Sequence, residues 1–214
     1  MTSDQELALL EEVKTAVFLI KEGLLSLEKL QVDGDLSHLP ILLLSNGFER
    51  LLKIIICMSV LVKSPSNPDF GKIKIHDVDG LLKQVIDISK EWGYKEKCVE
   101  AEKDVIFWEN CKDLRGWIKL FADFGHKSGR YYNIDLIIGS KTCWENPCEL
   151  FKSYCNGKTV KDITTLLQRF ARSLCRMFVW GPLYQVGGDM TQIVGDFYSL
   201  SDGDLGQVKP WECE

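Results

Sequence analysis

From Leu39 to Leu61 apolar residues surround a helical period almost completely, interrupted by Pro40 and by the polar residues Ser45, Asn46, Glu49, Arg50 and Lys53. A helix that is apolar on nearly every side must be enclosed by other elements. The segment therefore predicts the centre of a helical core, and the charges near its middle make it a poor bilayer span. Pro40 is tolerated because it falls in the first turn, where its missing N–H is no loss.

The neighbouring segments supply the enclosure. Leu7, Leu10, Val13, Ala16, Val17, Ile20, Leu24 and Leu27 recur at three- and four-residue intervals and predict a helix from about Asp4 to Lys29, closed by the turn signal Asp33-Gly34-Asp35. Residues 63–75, rich in Pro, Ser, Asn and Gly, read as a loop. A third helix is expected from about Val78 to Trp92, stopped by Gly93, with Asp77 as its N-cap. One or two more helices should lie between Tyr94 and Phe124, with Val99, Val105, Ile106 and Trp108 as one apolar cluster and Leu114, Trp117, Ile118, Leu120 and Phe121 as another.

Residues 125–146, with their glycines and the run Tyr131 to Ile138, read as an irregular loop. A last long helix is predicted from Val160 to Trp180, opened by Thr159 and stopped by Gly181-Pro182. The Gly- and Asp-rich residues from about 187 to 214 read as a loose tail. The fold class expected is all-α, an up-and-down helical bundle of four main helices with extra helices. Its 214 residues suffice for one single-core domain.

Composition limits function only broadly. A formal net charge of -5 argues against a protein coated in nucleic acid, although it leaves room for a local basic patch. The acidic start Met1-Thr-Ser-Asp-Gln-Glu lacks the basic opening and apolar core of a signal peptide, so a cytoplasmic protein with no membrane partner is expected. The eight cysteines accordingly read as free thiols. Cys143, Cys148 and Cys155, with His126 upstream, lack the tight pair usual in structural zinc sites, so no metal is expected. Neither a P-loop lysine motif nor a dinucleotide fingerprint occurs, and no cofactor is expected.

Two stretches carry candidate binding chemistry. In the last helix Ile163, Leu167, Phe170, Leu174, Met177 and Phe178 share one side, while Arg169, Arg172 and Arg176 fall within about 60° of each other on the opposite side at about 100° per residue. Three guanidiniums on one stripe can grip phosphate oxygens through planar forks. The same stripe is also what a solvated outer face paired to acidic neighbours would show. The second stretch, Gly125 to Asn133, places His126, Lys127, Arg130 and Tyr131 in a short glycine-bearing loop, a composition suited to holding a phosphate and stacking a base. It would equally suit a tight connection whose tyrosines plug the core.

Glu49 and Lys53 stand four residues apart on the second helix with apolar residues between them. After a Pro- and Gly-bearing loop come His76 and Asp77, followed by Leu81 and Leu82. This pattern resembles the central helix pair of the HEPN superfamily. The resemblance implies a HEPN-like homodimer packed through long helices, binding RNA or a nucleotide, in a prokaryotic defence or toxin–antitoxin setting. It also implies a structural His76, whose imidazole and following carboxylate satisfy backbone groups near the helix start. The family's ribonuclease signature, an Arg followed by four to six residues and a His, has no counterpart around His38, His76 or His126. A divergent, non-catalytic binding protein is therefore expected. The alternatives are a ribonuclease with a rearranged site such as His126 with Arg130, and a protein–protein interaction module.

Overall fold

The computed structural model describes residues 3–30, 38–65, 69–73, 75–125, 137–139, 146–155, 157–181 and 190–207. These are helices, turns and short connections, with no strand among the described residues. No helix among them is long and apolar enough to cross a membrane.

Helix α1 (Ser3–Glu28) and helix α2 (His38–Lys63) pair with each other along much of their length. They are antiparallel: Gly23 faces Leu44, Gly47 faces Ile20, and Arg50 pairs with Glu12. The backbones approach closely because both crossing points are glycines. A Cβ on Gly47 would lie 2.7 Å from Cγ1 of Ile20 and 3.2 Å from the carbonyl oxygen of Ala16, and one on Gly23 would lie 2.6 Å from Cγ of Leu44. Small residues at a helix crossing allow this contact at the cost of a side chain each.

As its apolar circumference predicts, α2 is central. Helix α3 (Val78–Glu91) packs on it, with the Trp92 indole donating to the Ser59 hydroxyl at 3.0 Å. Helix α4 (Val99–Asn110) follows a 3₁₀ turn at Tyr94–Glu96, and the chain bends in extended conformation at Cys111 into helix α5 (Lys112–Gly125). On α5 the Phe121 carbonyl accepts the Ser45 hydroxyl of α2 at 3.0 Å. Helix α6 (Pro147–Cys155) lays Phe151 edge-on to Trp117, and helix α7 (Val160–Trp180) lays Phe170 against Phe48 at 4.8 Å. Phe48, fully buried, thus joins α2 to α5 through Phe121 and to α7 through Phe170. The short helices α8 (Met190–Ile193) and α9 (Gly195–Tyr198) close the bundle against α1 and α7.

Three differences from the sequence reading have physical causes. Val105 and Trp108 are buried as expected, but Val99 and Ile106, two turns apart on α4, face solvent. The buried residues of α4 are Ala101, Asp104, Val105, Phe107 and Trp108, and the Trp108 indole donates to the Ser173 hydroxyl of α7 at 2.7 Å. Second, the loop at 63–75 contains a 3₁₀ turn at Gly71–Ile73. Third, residues 190–207, within the stretch read as a tail, carry two short helices and hydrogen bonds to α7. Phe197 is buried, and polar anchors from α7, described below, fix residues 200–207. Most of the irregular loop expected at 125–146 lies outside the described residues.

Candidate anion-binding groove on α7

Helix α7 begins with a reciprocal cap: Asp162 N–H donates to the Thr159 hydroxyl at 3.1 Å, and Thr159 N–H donates to the Asp162 carboxylate at 2.9 Å. Each satisfies a backbone donor that the helix leaves open. One side of α7 is sealed into the core by Ile163, Leu167, Phe170, Leu174, Met177 and Phe178.

The opposite side is not the open solvent face that the arginine stripe suggests. α4 flanks it on one edge and residues 200–205 on the other, so Gln168, Arg172 and Ser173 are all buried. Arg169, Arg172 and Arg176 do line one groove of about 470 Å³, together with Glu100, Lys103, Asp104, Thr165, Leu200, Ser201, Asp202 and Leu205. A second cavity of about 330 Å³, bounded by Asp113, Lys158, Asp162, Ile163 and Leu166, adjoins it through Thr165 and Arg169.

Each arginine is held differently. The Arg169 guanidinium lies over the Phe107 ring at 4.2 Å, and no carboxylate among the described residues pairs with it. Arg172 is only 9% exposed in its side chain; its Nη1 donates to the Leu200 carbonyl at 3.0 Å and its Nη2 to Asp202 Oδ1 at 2.6 Å. Its buried Nε–H meets no acceptor among the described residues. Arg176 donates through Nη1 to Asp104 Oδ2 at 2.8 Å, and the same oxygen accepts the Tyr94 hydroxyl at 2.9 Å.

The electrostatics follow from these pairings. Burial pushes the Asp104 carboxyl above the ordinary aspartate value, with the Arg176 guanidinium and the Tyr94 hydroxyl pulling it back. Burial, and then the charge of Asp104, raise the Tyr94 phenol above its usual range. The Asp202 carboxyl is held low by its hydrogen bond and charge contact with Arg172. Four cationic side chains, Lys103, Arg169, Arg172 and Arg176, face three carboxylates in the groove. The excess of one positive charge suits a single anionic group better than a string of phosphates.

The residues that carry the family resemblance meet elsewhere, between α2, α3 and the end of α5. Glu49, only 8% exposed, accepts Lys53 at 2.8 Å and contacts His76 Nδ1 at 2.9 Å, while His76 is 59% exposed. The imidazole engages a carboxylate of α2, whereas the resemblance implies a backbone partner. Asp77 caps α3 as expected, accepting Asp79 N–H at 3.1 Å. Gly125 packs here too: a Cβ on it would stand 2.8 Å from the His76 carbonyl oxygen.

His126, Lys127, Arg130 and Tyr131 lie outside the described residues, and so does any pairing of His126 with Arg130. Cys143 and the side chain of Cys148 also lie outside. Among the described residues no group of three His, Cys, Asp or Glu side chains is placed to hold a metal ion. Sequence reasoning missed Lys103, Asp104, Gln168 and Asp202. Asp104 did leave a signal, a lone acid within the Ala101–Val105–Trp108 apolar stripe. A scan against protein-family models and searches of curated proteins and of solved structures return no match for this chain.

Proposed function

We propose that this chain is a non-catalytic, HEPN-like protein that binds a nucleotide or the phosphorylated end of a short RNA, taking its phosphate in the α7 groove. The observation that carries this reading is the Arg172 Nε–H, a buried donor with no acceptor among the described residues, set beside Arg169 and Lys103 in a groove of about 470 Å³. A buried donor left unsatisfied is costly, and an anion oxygen would satisfy it. The groove lies in the size range of small-ligand sites, about 300–1,000 Å³. The meeting of Glu49, Lys53 and His76 supports the HEPN-like part of the proposal, and homodimer formation belongs to that part.

Calorimetric titration at low salt with AMP, inorganic phosphate and a 5′-phosphorylated tetraribonucleotide tests the reading. Binding should weaken at least about tenfold in Arg169→Ala, because a charge-assisted bond is worth about 1.5–3 kcal/mol. No measurable binding of any of the three would favour the interaction module instead, to which the internal pairing of Arg172 and Arg176 is suited. Light scattering on the purified chain tests the dimer separately.

A further inference from the structure

We infer that residues Leu200–Gln207 form a strap whose Asp202 carboxylate occupies one prong of the Arg172 fork at the groove's edge as a built-in competitor, so that a phosphate taking both prongs must displace it. The inference rests on the groove being the binding site and adds its regulation.

The strap is anchored at both ends. At its far end Gln168, fully buried, clamps the backbone in both directions: its Oε1 accepts Gly206 N–H at 2.7 Å and its Nε2 donates to the Gln207 carbonyl at 3.1 Å. The strap backbone lies so close to α7 there that a Cβ on Gly206, at φ 81°, would stand 2.3 Å from the Thr165 hydroxyl. At its near end the buried Phe197 roots α9, and Leu200 N–H donates to the Phe197 carbonyl at 3.2 Å. Between these anchors Ser201 closes a turn on Asp204 through both its N–H and its hydroxyl, at 3.1 and 2.7 Å. Arg172 joins the turn to α7 through the Leu200 carbonyl and the Asp202 carboxylate.

The geometry at Arg172 makes Asp202 a replaceable occupant. A guanidinium offers its Nε–H and Nη2–H side by side as a fork for two oxygens of one anion. Asp202 Oδ1 takes Nη2 at 2.6 Å, and Nε goes without an acceptor among the described residues, so the fork is half used. Asp202 is itself 87% exposed, and a carboxylate so placed contributes little by its pairing. A phosphate has oxygens for both prongs, and Lys103 and Arg169 line the same groove.

The test uses the full chain and AMP as probe, with affinities from calorimetry for wild type, Asp202→Asn and Arg169→Ala, and amide hydrogen exchange followed over residues 201–205. Asp202→Asn should bind AMP more tightly, by up to about fivefold, the size of an exposed ion pair removed from competition. Saturating AMP should speed exchange in residues 201–205 of the wild type. If Asp202→Asn binds AMP equally or more weakly while Arg169→Ala loses binding, Asp202 is no competitor: the strap inference fails and the binding site stands. If no variant binds AMP, the site reading fails and the strap with it. Circular dichroism on each variant separates these outcomes from misfolding.

Discussion

Asp104 receives Arg176 at 2.8 Å beneath the groove, with both side chains largely withdrawn from solvent. Its carboxylate also satisfies the Tyr94 hydroxyl, whose ring stacks on Trp108 at 5.9 Å, so one oxygen ties α4, α7 and the turn before α4 together. Asp104→Ala should destabilise the protein by about 3–5 kcal/mol, because it strands a buried guanidinium and a buried phenol at once. Asp104→Asn, which keeps an acceptor, should cost less, and Tyr94→Phe should cost about 0.5–1.5 kcal/mol. Urea titrations of the three variants check the order; an Asp104→Ala loss no larger than that of Tyr94→Phe would contradict the buried pairing.

The α1–α2 crossing makes a prediction of opposite character, in which adding an atom group does the damage. Gly47→Ala should cost about 1–3 kcal/mol by overpacking against Ile20 and Ala16, although alanine is the better helix former. Thermal unfolding measures it. An unchanged or raised midpoint would mean that the two helices can separate without penalty.

Thr159→Ala should remove about 1 kcal/mol by opening the α7 cap. The cap also has an acid limit. Hydrogen bonds from the Thr159 hydroxyl and backbone hold the Asp162 carboxyl below the ordinary aspartate value of 3.8. A carboxyl depressed in the folded state stabilises above its unfolded value, and that contribution is lost as pH falls through the folded one. The stability gap between wild type and Asp162→Asn should therefore be full at about pH 5 and close only in stronger acid. A gap that is unchanged across the acid range would rule out the carboxylate as its source.

Cys57, Cys98, Cys111, Cys155 and Cys175 are free thiols among the described residues. Burial pushes the Cys155 thiol up to about 11 and that of Cys175 higher still. With dithionitrobenzoate at neutral pH, the native protein should leave Cys175 unreacted, and the unfolded protein without reductant should titrate close to all eight cysteines in the chain. Fast labelling of Cys175 in the native state would show that the core around α7 opens.

Helix α7 was legible from the sequence at both ends, because the 3.6-residue period, the Thr159 cap and the Gly181-Pro182 stop are each read from residues close together in the chain. The central place of α2 was legible for the same local reason, an apolar surface on every side. Burial of Arg172 was not. What covers it, Leu200 and Asp202, lies about thirty positions away and is attached by hydrogen bonds to side-chain forks and backbone carbonyls, which leave no periodic trace in sequence. The same holds for Gln168, whose polarity suggests a surface position and whose two bonds to the backbone at 206 and 207 place it inside. Val99 and Ile106 misled for the reverse reason: apolar residues close in sequence form a cluster only if they share a helical face with Val105 and Trp108.

One helix, α7, carries Phe170 and Leu174 into the core and Arg169 and Arg172 into the groove, on adjacent positions. Selection acting on either task is therefore felt by the other. A random mutagenesis screen for lost binding would recover substitutions at Leu167, Phe170 and Leu174 alongside those at the arginines, and only a parallel measure of soluble protein abundance would sort the two classes. The helix has little room to drift: a single-residue insertion within it would rotate every later arginine by about 100° out of register with the core positions before it.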